Sequence, residues 1–194
     1  MHYIVALGNP GDEYENTRHN VGWSVLDYFI ESVGLPVPLQ NSSYLGMTTE
    51  GSVSDKEVTV LFPETFMNHS GASVKKLVPK GEVNNLIVVY DDIALPVGEV
   101  KISFGRGDGG HNGIKSIINS LGSKDFVRIR VGIAPVSFWT GKIKRPAGAT
   151  LAKFVLGRFN NKENEKIKKT KESVLEIIKT ILESGAEAAM NKFN

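Results

Sequence analysis

The chain contains no cysteine. A disulfide framework, a thiolate nucleophile and a thiolate metal site are therefore excluded, and the cytoplasm is the expected compartment. Long hydrophobic runs are also missing. The strongest, LIVVY at 86–90, is far too short to span a bilayer. The opening MHYIVALGNPG lacks the basic stretch and cleavage site of a secretory signal, and reads as a buried strand near the first residue. No Walker A sequence and no G-x-S-x-G elbow occurs, which argues against a P-loop nucleotide site and a serine acyl-enzyme. Scattered histidines at 2, 69 and 111 do not have metal-ligand spacing, so neither metal nor cofactor is expected. Repeats, heptads and low-complexity tracts are absent.

What remains is an ordinary globular balance in 194 residues, with 41% apolar and 23% charged. That length suits one sizeable core, and a single domain over 1–194 is expected. The net charge of +2 conceals a division. Residues 1–97 carry 5 Lys and Arg against 12 Asp and Glu, whereas 98–194 carry 18 against 9. A basic second half hints at a polyanionic partner, unless the fold interleaves the halves.

Short β-rich runs alternate with helical periodicity. Strands are expected at 3–8, 44–53, 57–62, 86–92, 101–105 and 126–134. Val21, Val25, Leu26, Phe29, Ile30 and Val33 share one face of a helix that Gly34 and Pro36 end. Further helices are expected at 70–78, 114–121 and 162–189, the last burying Ile167, Val174, Ile177, Ile178, Ile181 and Leu182. Its Lys162, Lys166, Lys168, Lys169 and Lys171 read as a solvated face, and 135–150 reads as a long loop. The alternation predicts an α/β fold with a mixed, mostly parallel central sheet and helices on both faces.

Polar residues gather at the junctions of these elements: Asn9, His19, Asn68, Asp92 and Asn112. Each has a bland reading, as a turn residue, an N-cap or a first-turn side chain. Together they suggest a site outside the strand ends, where loops converge. An imidazole beside a carboxylate acts as a general base on water, and a helix start would lower its pKa. Carboxamides supply donors and acceptors for an amide or a developing oxyanion. Two other readings stay open: a non-catalytic RNA-binding module, and a metal-dependent phosphoesterase centred on Asp91 and Asp92.

LGNPGDEYENTRHNVGW, PETFMNHSG, YDDIALPVG and GRGDGGHNG, in this order, closely resemble the bacterial peptidyl-tRNA hydrolase family. The resemblance extends from about residue 3 to VLGRF at 155–159. It implies a monomeric α/β enzyme that cleaves the ester between a peptide and the 3′ ribose of tRNA, recycling tRNA from stalled translation. It places the catalytic base on His19 and its orienting carboxylate on Asp92. Substrate contacts fall on Asn9, Asn68 and Asn112, with Tyr14 and Met67 lining the same cleft. For the tRNA phosphates the candidates are Lys101, Arg106 and Arg130, of which Arg130 matches a family position.

Two features depart from the family pattern. Ser103 stands where many members carry a second basic residue. The loop 135–150 is longer than usual, and its Trp139, Lys142, Lys144 and Arg145 have no assignable counterpart.

Overall fold

Among the described residues, runs of β-branched and aromatic residues supply seven strands, and amphipathic stretches between them supply five helices. In chain order these are β1 (His2–Ala6), α1 (Val21–Val33), β2 (Leu39–Asn41), β3 (Gly46–Val53), β4 (Lys56–Pro63), α2 (Ser70–Leu77), β5 (Leu86–Pro96), β6 (Val100–Phe104), α3 (Asn112–Leu121), β7 (Val127–Ala134), α4 (Ala149–Val155) and α5 (Asn161–Phe193). The computed structural model describes residues 1–137, 140, 142–143, 146 and 148–194. Trp139, Lys144 and Arg145 of the long loop lie outside the described residues.

All seven strands join one sheet in the order β2-β3-β4-β1-β5-β7-β6. The centre, β4-β1-β5-β7, is parallel, and antiparallel strands close both edges. Side-chain parity sorts the core into two layers. Ile4 and Ala6 of β1, with Ile87 and Val89 of β5, pack toward α1 and α5. Tyr3 and Val5, with Leu86, Val88 and Tyr90, pack toward α2 and α3. The expected mixed, mostly parallel sheet with helices on both faces is what forms. Every apolar residue expected on the last helix face is buried.

The elements that sequence patterning did not indicate are short and lightly buried. β2 is a three-residue edge strand whose Leu39 is 73% exposed, and it exists through its pairing with β3. α4 begins inside the expected loop, and none of its described side chains is fully buried. Ser54 and Asp55 both take positive φ in the two-residue turn between β3 and β4, whose handedness suits the twist of a hairpin.

Two glycines set the position of α1. Gly34 follows its last turn at φ 72, the left-handed cap that ends the helix where expected. Gly22 lies in its first turn, where a Cβ would stand 2.7 Å from the carbonyl oxygens of both Leu7 and Val89. The helix start thus rests directly on the backbone just past β1 and on that of β5. In an open helix Gly→Ala stabilises by about 1 kcal/mol. Here the clash with two backbone carbonyls outweighs it, and Gly22→Ala is expected to destabilise by about 1–3 kcal/mol. A stability gain for this variant in urea denaturation would contradict such close packing.

Candidate active site

The carboxyl ends of β1 and β5 and the starts of α1 and α3 converge on a cleft of about 1150 Å³. It is lined by Asn9, Tyr14, His19, Met67, Asn68 and Asn112, and on the basic side by Lys101, Arg106 and Arg130. The structure therefore brings every expected site residue to one cavity. It pairs them differently, however.

His19 sits in a 3-10 turn, Arg18–Asn20, that runs straight into α1. Its Nδ1–H donates to Oδ1 of Asp91 at 2.7 Å, and not to Asp92. Strand parity is the reason. Asp91 follows Ile87 and Val89 on the face that carries α1, and Asp92 follows Val88 and Tyr90 on the other. Asp92 turns instead to Arg130, accepting from its Nε at 2.7 Å, and accepts from the Ala94 N–H at 2.6 Å. The carboxylate in contact with His19 is thus Asp91, and not Asp92 as expected. The two aspartates also form no paired-carboxylate site, because they face apart and each is already engaged.

A second imidazole completes the arrangement. His111 caps α3, its Nδ1 accepting from the Ile114 N–H at 3.3 Å. That leaves the proton on Nε2, which donates to the same Asp91 oxygen at 3.0 Å. Among the described residues, His19, Asp91 and His111 are the one His/Asp/Glu grouping compact enough to share an ion, with ligand atoms within 4.8 Å. Those atoms are the ones already joined by the two hydrogen bonds. GGHNG is the sequence signal for this spot, but Asn112, the residue expected there, is the first helical residue and leaves the capping to His111.

Electrostatics follow from this geometry. Burial alone would raise the Asp91 pKa, but the His19 and His111 imidazoles override it and hold the carboxyl well below the usual range. For His19, burial disfavours the imidazolium, and the charge and hydrogen bond of Asp91 more than offset this, so its pKa is raised above 6.5. The lowering expected from a helix start is therefore reversed, since a carboxylate in contact outweighs a partial dipole charge.

The asparagines divide into a held one and two free ones. Asn9 is buried, and its Oδ1 accepts from the Met67 N–H at 2.8 Å. A backbone donor fixes that amide's orientation and leaves its NH₂ for the cleft. Asn20, which patterning did not single out, locks the histidine turn to the loop after β1: Asn9 N–H donates to its Oδ1 at 2.9 Å, and its Nδ2 donates to the Asn9 carbonyl at 2.8 Å. Asn68 and Asn112 are exposed at the rim, and neither caps a helix. Tyr14 meets Phe66 edge-on, with ring centres 6.3 Å apart.

The glycine-rich loop has its own support. Arg128, 1% exposed, donates through Nη1 to the Gly107 carbonyl at 2.5 Å and through Nη2 to the Arg106 carbonyl. It lies 4.6 Å over the Phe126 ring. The alternating arginines of β7 thus split by depth: Arg128 braces the loop, and Arg130 reaches the cleft. Lys101 of β6 stands opposite Arg130 in the ladder.

An NMR titration separates the two aspartates. The His19 imidazole is expected to titrate above 6.5 in the native chain and to fall in Asp91→Asn, where burial acts unopposed. Asp92→Asn is expected to leave it nearly unchanged. The reverse pattern would return the orienting role to Asp92.

Comparison with known proteins agrees with this geometry. The sequence model of the family described as peptidyl-tRNA hydrolase matches residues 3–194. A peptidyl-tRNA hydrolase of Syntrophotalea carbinolica is 40% identical over 197 residues, covering 100% of this chain and 97% of that protein. One from Clostridium novyi is 41% identical over 199 residues, covering 100% and 98%. The crystal structure of peptidyl-tRNA hydrolase from Acinetobacter baumannii superposes with a TM-score of 0.85 at 27% identity, covering 100% of this chain and 94% of that one. With the motifs, the fold and the cleft in agreement, the chain belongs to the peptidyl-tRNA hydrolase family.

Proposed function

We propose that this chain hydrolyses the ester linking a peptide to the 3′ ribose of tRNA, with His19 as general base and Asp91 as its orienting carboxylate. The observation that carries the reading is the 2.7 Å hydrogen bond between them at the floor of a cleft ringed by carboxamides. With Nδ1–H committed to Asp91, neutral His19 offers the Nε2 lone pair to a water. That water gives up a proton to Nε2 while its oxygen bonds to the ester carbonyl carbon. The C–O bond to the ribose then breaks, and the imidazolium returns its proton to the leaving oxygen. His111 keeps Asp91 ionised and aimed, so the imidazolium always faces a carboxylate.

Asn9 and Asn68 hold the last amides of the peptide, and Asn112 positions the water or the ribose end. Tyr14 and Met67 wall the same region. A site that pairs a neutral amide leaves polar groups unmatched when offered the charged amine of an aminoacyl-tRNA, which accounts for sparing it. Lys101, Arg106 and Arg130 face the acceptor-stem phosphates. Asp92 takes only the Nε of Arg130, leaving its terminal nitrogens for a phosphate. Arg106, on the loop braced by Arg128, supplies the charge that Ser103 does not. We take the enzyme to act as a monomer in the cytoplasm, where its substrate is made. Among the described residues no helix is long and apolar enough to cross a membrane.

Ester release is measured from an N-blocked aminoacyl-tRNA and from the free-amine form, with and without a chelator. Release from the blocked substrate alone, undiminished by chelation, is expected. His19→Ala is expected to lower kcat by roughly 10²–10⁴. Asp91→Asn should approach it, and Asp92→Asn should chiefly weaken salt-dependent binding. Near-normal turnover by His19→Ala, or activity abolished by chelation, would sink the mechanism.

A further inference from the structure

One side chain beside the catalytic turn is engaged away from the cleft. Arg18 immediately precedes His19 but does not line the cavity. Its side chain is 12% exposed, with the guanidinium carbon 4.5 Å from the Phe154 ring centre and 5.2 Å from that of Phe159. Nη2 donates to Glu163 Oε2 at 2.9 Å, and Nη1 reaches the Phe154 carbonyl at 3.5 Å. The main chain joins in: the Arg18 N–H donates to the Gly157 carbonyl at 2.9 Å, and Thr17 bridges Arg158.

Glu163 is itself committed. Its Oε2 accepts from the Asn160 N–H at 2.8 Å while its own N–H donates to Asn160 Oδ1 at 3.0 Å, the capping box that starts α5. A single cation therefore ties four segments together: the histidine turn, the end of α4, the link that follows and the first turn of α5. Only a planar guanidinium stacks on an aromatic face and donates along its edge at once.

α4 is what needs such a tie. It lines the cleft with Leu151, Ala152 and Val155, followed by Leu156, yet none of its described side chains is fully buried. We propose that Arg18 is a positioning residue, a clamp with Glu163 that sets this apolar wall relative to His19. The wall's lining side chains offer no group to the reacting atoms, so its placement governs substrate binding rather than chemistry. This rests on the reading of the cleft as the peptidyl-tRNA site.

The full chain carrying Arg18→Gln, Arg18→Lys or Glu163→Gln is compared with the native chain by amide hydrogen exchange and steady-state kinetics. Exchange over 149–158 should accelerate in all three, with β1 and β5 still protected. KM for peptidyl-tRNA should rise about tenfold, with kcat within about threefold and the acid limb of the pH profile unmoved. Arg18→Gln combined with Glu163→Gln should be no worse than the poorer single variant. Rescue by Arg18→Lys together with a silent Glu163→Gln would mark Arg18 as a plain phosphate contact and overturn the clamp. So would unchanged exchange over 149–158, whatever the kinetics. If a variant also loses protection in β1 and β5, Glu163→Gln decides, because glutamine preserves the capping box. Failure of the native chain to cleave peptidyl-tRNA would refute the cleft reading alone, since the exchange measurement needs no substrate.

Discussion

One carboxylate oxygen, Asp91 Oδ1, accepts hydrogen bonds from two imidazoles carried by different helix starts. His19 arrives with α1, which packs on one face of the sheet, and His111 arrives with α3, which packs on the other. They meet at Asp91 because it stands near the carboxyl end of the buried stretch of β5, where both layers stop and the chain opens to the cleft. The sheet, the two layers and their helix starts must all be in register for these two bonds to form. A buried carboxylate without them would be costly, and with them it is held ionised. The stability of the buried charge and the basicity of His19 thus come from the same contacts.

Around this centre the supporting residues act mostly through backbone groups. Asn20 joins the histidine turn to the loop after β1, Asn9 presents itself through Met67, and Arg128 gathers two loop carbonyls. Each satisfies buried polar groups that the convergence of loops would otherwise leave unpaired. The result is division of labour by burial. Side chains that hold are enclosed, whereas Asn68 and Asn112, at the rim of the cleft, are exposed.

The acidic first half and basic second half do not cancel within the cleft. β5, from the first half, brings Asp92 to Arg130 of β7, from the second, so opposite charges meet between neighbouring strands. Lys101 and Arg106 extend the basic side along the β6 edge and the glycine-rich loop. Among the described residues Arg130 pairs with Asp92 through Nε, not through its outer nitrogens, so neutralisation stops short of erasing the basic surface.

Much of this was legible in residue order. Apolar periodicity located α1, α2, α3 and α5, and β-rich runs located the central strands, because those elements bury faces whose spacing is local. The four motifs named the family, and the polar junctions between elements already pointed to His19, Asn9, Asn68 and Asn112. Choosing between Asp91 and Asp92 required knowing which face of β5 carries α1. Parity is written in the sequence, but the assignment of a helix to a face is a tertiary fact. His111 needed the same knowledge from the other side of the sheet, and β2 and α4 bury too little to leave a local pattern. Residue order alone carried the well-buried elements, the family and the chemical groups available. The tertiary structure decided which groups touch, because a hydrogen bond of 2.7 Å between residues 72 positions apart depends on how the layers close over the sheet.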